Sequence, residues 1–396
     1  MSIRFKVSVT VVVVLILIAG CGKSEPTATP TTTPVPPAAT PTATPASPTA
    51  TPVVLTRVAT EQATPTTIPH PTEPPPAAAP VEVEEVSFQS DHFKLVGDLQ
   101  IPGTEGKHPV IIMVHGDGGI NRTDSGKYRP IMERFLRAGY AVFSWDKPGT
   151  GESTGEFVDG AWILTNRASI LVDAVESLKE HPAIDPERIG VWGISQGGYV
   201  MPLALTMSDD IAFMIVVSGP GVNGIDQTAY LIGQQVLCQG YSEEEAELAE
   251  QSFAGLCKAT TYQEYRESQE NLIQFPCAIS FTGKDLTPEE DWVPWDRQVD
   301  AFFNPIEVIE QTTIPVLAFF GEKDTQVDPF QGAQAYEEAL QKAGNQNFHV
   351  ELIPGVAHVL DLAETGCMNE HRARVYAPEY LDLMEEWLGQ LLESTD

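Results

Sequence analysis

The stretch Arg188 to Gly198, RIGVWGISQGG, constrains this chain more than any other. An apolar run, Ile189 to Ile194, meets the pattern Gly193-Ile194-Ser195-Gln196-Gly197, and a helical pattern begins at Gly198. The reading is a strand, a sharp turn and a helix. A serine between glycines at this spacing can adopt a strained backbone conformation, because a side chain at either glycine would meet the neighbouring strand or helix. Its hydroxyl then stands at a helix N-terminus, where developing negative charge is stabilised. Such a short pattern also recurs by chance in proteins that hydrolyse nothing, so the flanking strand and helix carry the argument.

The chain around this turn alternates between strand and helix. Val81 to Phe88 and Phe93 to Ile101 read as two antiparallel strands across the polar turn Gln89 to His92. Pro109 to His115 and Ala141 to Trp145 are continuous apolar runs of the buried parallel kind, each followed by a helical pattern, near 128–138 and 161–181. After the serine turn come a helix to about Met207 and a strand at Ile211 to Ser218. The rhythm breaks from Gly221 to Gln311, where the strongest pattern is helical, as in Ser242 to Leu256. It resumes with strands at Pro315 to Gly321 and His349 to Ile353 and helices near 330–343 and 377–392. A parallel sheet with one mainly helical insertion is the economical summary.

The first 80 residues differ in kind. Arg4 and Lys6 precede an apolar run, Val7 to Ala19, which is short for a membrane span and fits a secretory signal. Its ending, Ile18-Ala19-Gly20-Cys21, resembles the bacterial lipobox, which implies a cleaved signal (residues 1–21), a diacylated Cys21 and a protein anchored by lipid outside the cytoplasm. Residues 22–80 hold 16 of the 32 prolines among Thr and Ala, a composition that buries no core and favours an extended tether.

Beyond residue 80 there are 19 basic and 52 acidic residues, an excess that repels nucleic acid and anionic lipid surfaces. Apart from Cys21, the cysteines are Cys238, Cys257, Cys277 and Cys367, an even number that allows one or two disulfides in an exported chain. Cys238 with Cys257 is the first pairing to consider, since the two bracket one helical stretch. Zinc is disfavoured, because no Cys-x-x-Cys or nearby histidine pair accompanies them.

Five segments together resemble the α/β-hydrolase superfamily, in its secreted serine esterase and acyl-hydrolase branch with a helical cap. They are Gly193-Ile194-Ser195-Gln196-Gly197-Gly198; His115-Gly116-Asp117-Gly118-Gly119; Asp146-Lys147-Pro148-Gly149-Thr150-Gly151-Glu152-Ser153; Gly321-Glu322-Lys323-Asp324; and Gly355-Val356-Ala357-His358. Each is weak alone, but their common order and spacing are not accidental. The resemblance implies an α/β fold: a mostly parallel eight-stranded sheet flanked by helices. Core segments would lie at 81–220 and 312–396, with a cap at 221–311.

The chemistry asks for the same residues. A serine hydroxyl needs a histidine to take its proton, and the histidine needs a carboxylate to fix its tautomer. This fold's order is Ser, acid, His, which selects Ser195, Asp324 and His358; Asp324 and His358 each follow a strand, where such a sheet places its site. Glu322 and Asp328 are the competing acids. Among the other histidines, His115 reads as a strand-end residue that shapes the neighbouring loop. His70, His92, His108, His181, His349 and His371 lack a partner and are expected at surfaces or edges. The oxyanion hole takes one backbone N–H from Gln196 and one from Asp117, with Gly118 as the alternative. The Asp117 carboxylate is an awkward neighbour for an oxyanion unless it turns away or is paired. The reaction is two-step acyl transfer on a small-molecule ester of small or medium acyl size, and requires no metal or organic cofactor.

The insertion says less. Trp292, Trp295, Phe302 and Phe303 suit either an acyl pocket or a small core, and Glu243-Glu244-Glu245 suits either a cationic ligand or a solvated helix face. Two other readings stay open: a peptidase or amidase of aminopeptidase type on the same fold, and a surface binding protein on an inactive hydrolase scaffold.

Overall fold

The computed structural model describes residues 81–157, 160–371 and 373–393. The signal sequence, the lipobox at Cys21, the Pro/Thr-rich spacer and His70 lie outside the described residues.

Eight strands form one sheet in the order β1-β2-β4-β3-β5-β6-β7-β8. They are β1 (Val81–Ser90), β2 (Phe93–Pro102), β3 (His108–Val114), β4 (Ala141–Trp145), β5 (Ile184–Ile194), β6 (Phe213–Val217), β7 (Val316–Gly321) and β8 (Phe348–Ile353). β1 and β2 pair antiparallel, as do β2 and β4; every pairing from β4 through β3 to β8 is parallel. β5 begins earlier than its apolar run, at Ile184, because a register shift against β3 lets its polar lead-in join the ladder.

Helices cover both faces, and the strands show why. Along β3 every residue is buried, yet Val110, Ile112 and Val114 belong to one apolar cluster and Ile111 and Met113 to another. The period of two sends alternate side chains to opposite faces, and both faces are roofed. One roof is α2 (Ile163–Lys179), α3 (Gly197–Leu205), α8 (Ile306–Ile309) and α9 (Pro329–Lys342); the other is α1 (Arg129–Arg137) and α10 (Pro378–Glu393). β3 pairs with β4 on one side and β5 on the other. The connections therefore diverge between β3 and β5, the place where an open α/β sheet forms a crevice beyond its strand ends.

Between β6 and β7 stand α4 (Gly224–Cys238), α5 (Glu243–Lys258), α6 (Tyr262–Leu272) and α7 (Pro276–Thr282), which share a separate apolar cluster. Their starts are written in the sequence. Asn223 accepts from the N–H groups of Ile225 and Asp226, and Ser242 with Glu245 and Thr261 with Glu264 form capping boxes. The run Glu243-Glu244-Glu245 is thus the first turn of α5, where carboxylates suit the helix dipole. Trp292, Trp295 and Phe302 pack against this cluster, Trp292 between the rings of Tyr262 and Tyr265, while Phe303 packs against the main core.

Two expectations are corrected. Cys238 is bonded to Cys367, not to Cys257. Cys257 is buried in α5, where burial pushes its thiol up to about 12; sequence proximity gave no guide to a bond that ties α4 to a segment beyond β8. The surface histidines are not without partners either. His92, His181 and His349 meet the carboxylates of Asp91, Glu84 and Glu351, and His108 is buried with Nε2 on the Thr104 carbonyl.

Candidate active site

Ser195 directly follows β5 with φ +56°, a left-handed conformation that costs a non-glycine residue about 1–3 kcal/mol. Two backbone bonds hold it there, Ser195 N–H to Val217 O at 2.9 Å and Gly198 N–H to Ser195 O at 2.8 Å. The flanking glycines have no room for a side chain. A Cβ at Gly193 would lie 2.7 Å from the Met201 methyl on α3, and one at Gly197 would lie 2.7 Å from the Val114 carbonyl on β3. The turn therefore needs glycine on both sides of its serine.

His358 and Asp324 come together on the far side of β6. His358 Nδ1 lies 2.7 Å from Asp324 Oδ2, and the two residues are 6% and 2% exposed. The other Asp324 oxygen accepts the N–H groups of Gln326 (2.7 Å) and Val327 (3.0 Å), so the acid cannot swing away. The competing acids are engaged elsewhere: Glu322 accepts the Gly355 N–H, and Asp328 caps α9 through Phe330 and Gln331. Sequence reasoning missed two braces on this side. Ser218 follows the residue that holds the Ser195 N–H, and its hydroxyl donates to the His358 carbonyl at 2.7 Å. Tyr230, on α4, donates its hydroxyl to the Asp324 carbonyl at 2.8 Å.

On the other side of Ser195 runs the loop after β3. Gly116 passes against Ser195, and a Cβ built on it would stand 3.5 Å from Ser195 Cβ. The awkward carboxylate of Asp117 is paired, since its Oδ1 accepts from Gln196 Nε2 at 2.9 Å. Gln196 Oε1 in turn accepts from Arg167 of α2, whose guanidinium also donates to the His115 carbonyl. Lys147 donates to the carbonyls of Gly116 (2.5 Å) and Gly118 (2.7 Å).

The loop after β4 delivers Lys147. Asp146 accepts from the N–H groups of Arg122 and Glu152, and Ser153 bonds the Asp146 carbonyl. Gly149 and Gly151 have positive φ, and a Cβ on either would collide with neighbours.

Sequence reasoning missed the roles of Lys147 and Arg167, although each left a trace. Lys147 lies inside a quoted motif, and Arg167 falls on the same helical stripe as the buried Leu164, Ala168 and Leu171. Burial, with the nearby Asp117 and Tyr128 charges opposing it, brings the Arg167 guanidinium down to about 10.

His115 is structural. Ser144 Oγ donates to the Arg122 carbonyl, so it accepts from His115 Nε2 at 3.0 Å, which places that ring's proton on Nε2. Burial, then Lys147 and Arg167, hold the imidazole well below its usual range, and it stays neutral, stacked on Tyr128. Among the described residues, no group of three or more His, Cys, Asp or Glu is arranged to hold a metal ion.

Comparison with known proteins bears on this site. The profile of the X-Pro dipeptidyl-peptidase (S15 family) matches residues 91–358. A 31.7 kDa protein encoded in the traX-finO intergenic region of Escherichia coli is 24% identical over 251 residues, 60% of this chain and 80% of that protein. The quorum-quenching protein AidA of Acinetobacter baumannii is 31% identical over 147 residues, 36% of this chain and 46% of AidA, less than half its length. Among solved structures, an esterase of Pyrococcus furiosus superposes with a TM-score of 0.50 at 19% identity, over 78% of this chain and 91% of the esterase. The likeness in structure is one of fold: an α/β-hydrolase.

Proposed function

The chain belongs to the X-Pro dipeptidyl-peptidase (S15) family of hydrolases, and from that premise we propose that it is a serine esterase acting through Ser195, His358 and Asp324. The observation that carries the reading is the buried His358–Asp324 pair, at 2.7 Å, on the same strand ends as a serine in a strained turn. Ser195 attacks the ester carbonyl as His358 takes its proton. The backbone N–H groups of Asp117 and Gln196 stabilise the oxyanion. His358 then protonates the leaving alcohol, and a water activated by the same imidazole releases the acid. Asp324 holds the ring in the tautomer that this exchange requires.

The family description favours a second reading, cleavage of an amide by the same residues. Esters stand first because an ester carbonyl is more reactive than an amide carbonyl toward the same serine, and the Pyrococcus furiosus protein that shares the fold is an esterase. Initial rates on p-nitrophenyl esters of increasing acyl length, with an aminoacyl p-nitroanilide beside them, separate the two. Ester turnover that disappears in Ser195→Ala is expected. Anilide cleavage with no ester turnover would establish the amidase, and inactivity on both would leave a binding protein.

The lipobox reading supports an enzyme tethered outside the cytoplasm through Cys21. Cys21→Ser is expected to move activity from the membrane to the soluble fraction, and activity that stays with membranes would remove the anchor.

A further inference from the structure

Acyl transfer by Ser195, His358 and Asp324 makes no use of the two cations buried beside them. Lys147 is 4% exposed and Arg167 9%. A buried charge costs several kcal/mol unless well partnered, which makes the choice of partners informative. Among the described residues, neither cation forms a close carboxylate pair. Between them they take three backbone carbonyls from a single loop: His115 O by Arg167, and Gly116 O and Gly118 O by Lys147.

The direction of those carbonyls decides the direction of the amides. A trans peptide points its N–H opposite to its C=O. With Gly116 O drawn onto Lys147, the Asp117 N–H points away from the ammonium. Gly116 itself lies against Ser195, and Gly118, at φ +83°, lets the loop double back so that both carbonyls reach one nitrogen.

We propose that Lys147 is a positioning residue for the oxyanion hole: its buried ammonium turns the Gly116 and Gly118 carbonyls away from Ser195 and thereby aims the Asp117 N–H at the developing negative oxygen. Arg167 completes the clamp. It fixes His115 O and Gln196 Oε1, and Gln196 Nε2 holds the Asp117 carboxylate, so Asp117 is gripped through both main chain and side chain. The proposal rests on the nucleophile reading of Ser195 and adds to it a charge that never touches substrate.

A clamp made of charge is sensitive to pH. Among the described residues, the groups facing Lys147 are Arg167 from α2, His115 and Asp117 from the loop after β3, Asp124 from the turn before α1, and the Phe157 ring at 5.8 Å. Burial first, then Arg167, hold the Lys147 ammonium well below the lysine value of 10.5, with Asp117 and Asp124 opposing. Raising the pH through that lowered value discharges the ammonium and releases the carbonyls. Over the same window the unfolded chain still binds the proton that the folded chain has lost, so this group's contribution to stability rises with pH. Rate and stability then move in opposite directions.

The test is labelling of the full chain by a fluorophosphonate, whose phosphonyl oxygen occupies the same hole as a substrate oxyanion. Lys147→Met is expected to lower the limiting labelling rate constant by about 10²-fold, with half-saturation changed by less than about threefold. Lys147→Arg should recover part of the rate, and the alkaline loss seen in the wild type should be missing from Lys147→Met. Labelling of Lys147→Met at the wild-type rate would overturn the clamp alone, and so would a loss accompanied by equal loss of half-saturation and melting temperature. If Lys147→Met fails to fold, the wild-type series decides: a limiting rate that falls while the melting temperature holds supports the clamp, and a rate flat up to the ordinary lysine value overturns it. A wild-type chain that never labels removes the Ser195 reading, and the clamp with it.

Discussion

The two flanks of Ser195 are braced from opposite directions. On the acid flank, Ser218 directly after β6 bonds the His358 carbonyl, and further support comes from outside the sheet. Tyr230 of α4 bonds the Asp324 carbonyl, Thr325 and Lys323 bond the carbonyls of Gly366 and Glu364, and the disulfide Cys238–Cys367 ties that same outer segment to α4. On the oxyanion flank, support comes from within, where Lys147 and Arg167 hold backbone carbonyls in the interior. An external brace works through many small contacts and tolerates the loss of one. An internal clamp concentrates its effect in two charges. The acid flank should therefore fail gradually under mutation and the oxyanion flank abruptly, the reacting groups themselves excepted.

Asp324→Asn gives the largest effect. It keeps the shape of the pair but favours the wrong imidazole tautomer, and kcat should fall by about 10⁴-fold with little change in melting temperature. Steady-state rates beside a thermal melt check it, and a loss below about tenfold would assign the acid to another residue. Lys147→Met comes next, at the roughly 10²-fold expected for one misdirected oxyanion donor. The smallest catalytic effect is expected from Cys238→Ala with Cys367→Ala. Removing a bond between residues 129 apart should lower stability by about 2–4 kcal/mol in denaturant unfolding, while kcat stays within about threefold. A kcat collapse in that double variant would erase the contrast between the flanks.

How much of this was legible in the sequence follows the same division. The strands could be read because a sheet roofed on both faces demands continuous apolar runs, as in β3, β4 and β7. The serine turn could be read because two close approaches, to Met201 and to Val114, forbid side chains at Gly193 and Gly197. Asp324 and His358 could be placed because each follows its strand within a few residues. Lys147 and Arg167 lie 48 and 28 residues before the serine, and no local pattern shows that their charges converge on one loop. Arg167 differs only in being a cation on an apolar helical stripe. The disulfide was misread for the opposite reason: Cys238 and Cys257 are close in sequence, whereas the tie from α4 to the segment beyond β8 depends on tertiary packing. Aromatic residues between β6 and β7 carried no direction at all, and only their packing shows that Trp292 belongs to a core.

Whether Ser195 is the nucleophile is decided by locating a fluorophosphonate adduct with intact-mass measurement and peptide mapping. One adduct per chain on the peptide containing Ser195, absent from Ser195→Ala and strongly retarded in His358→Ala, is the predicted result. An adduct on any other serine, or labelling that persists unchanged in Ser195→Ala, would contradict it.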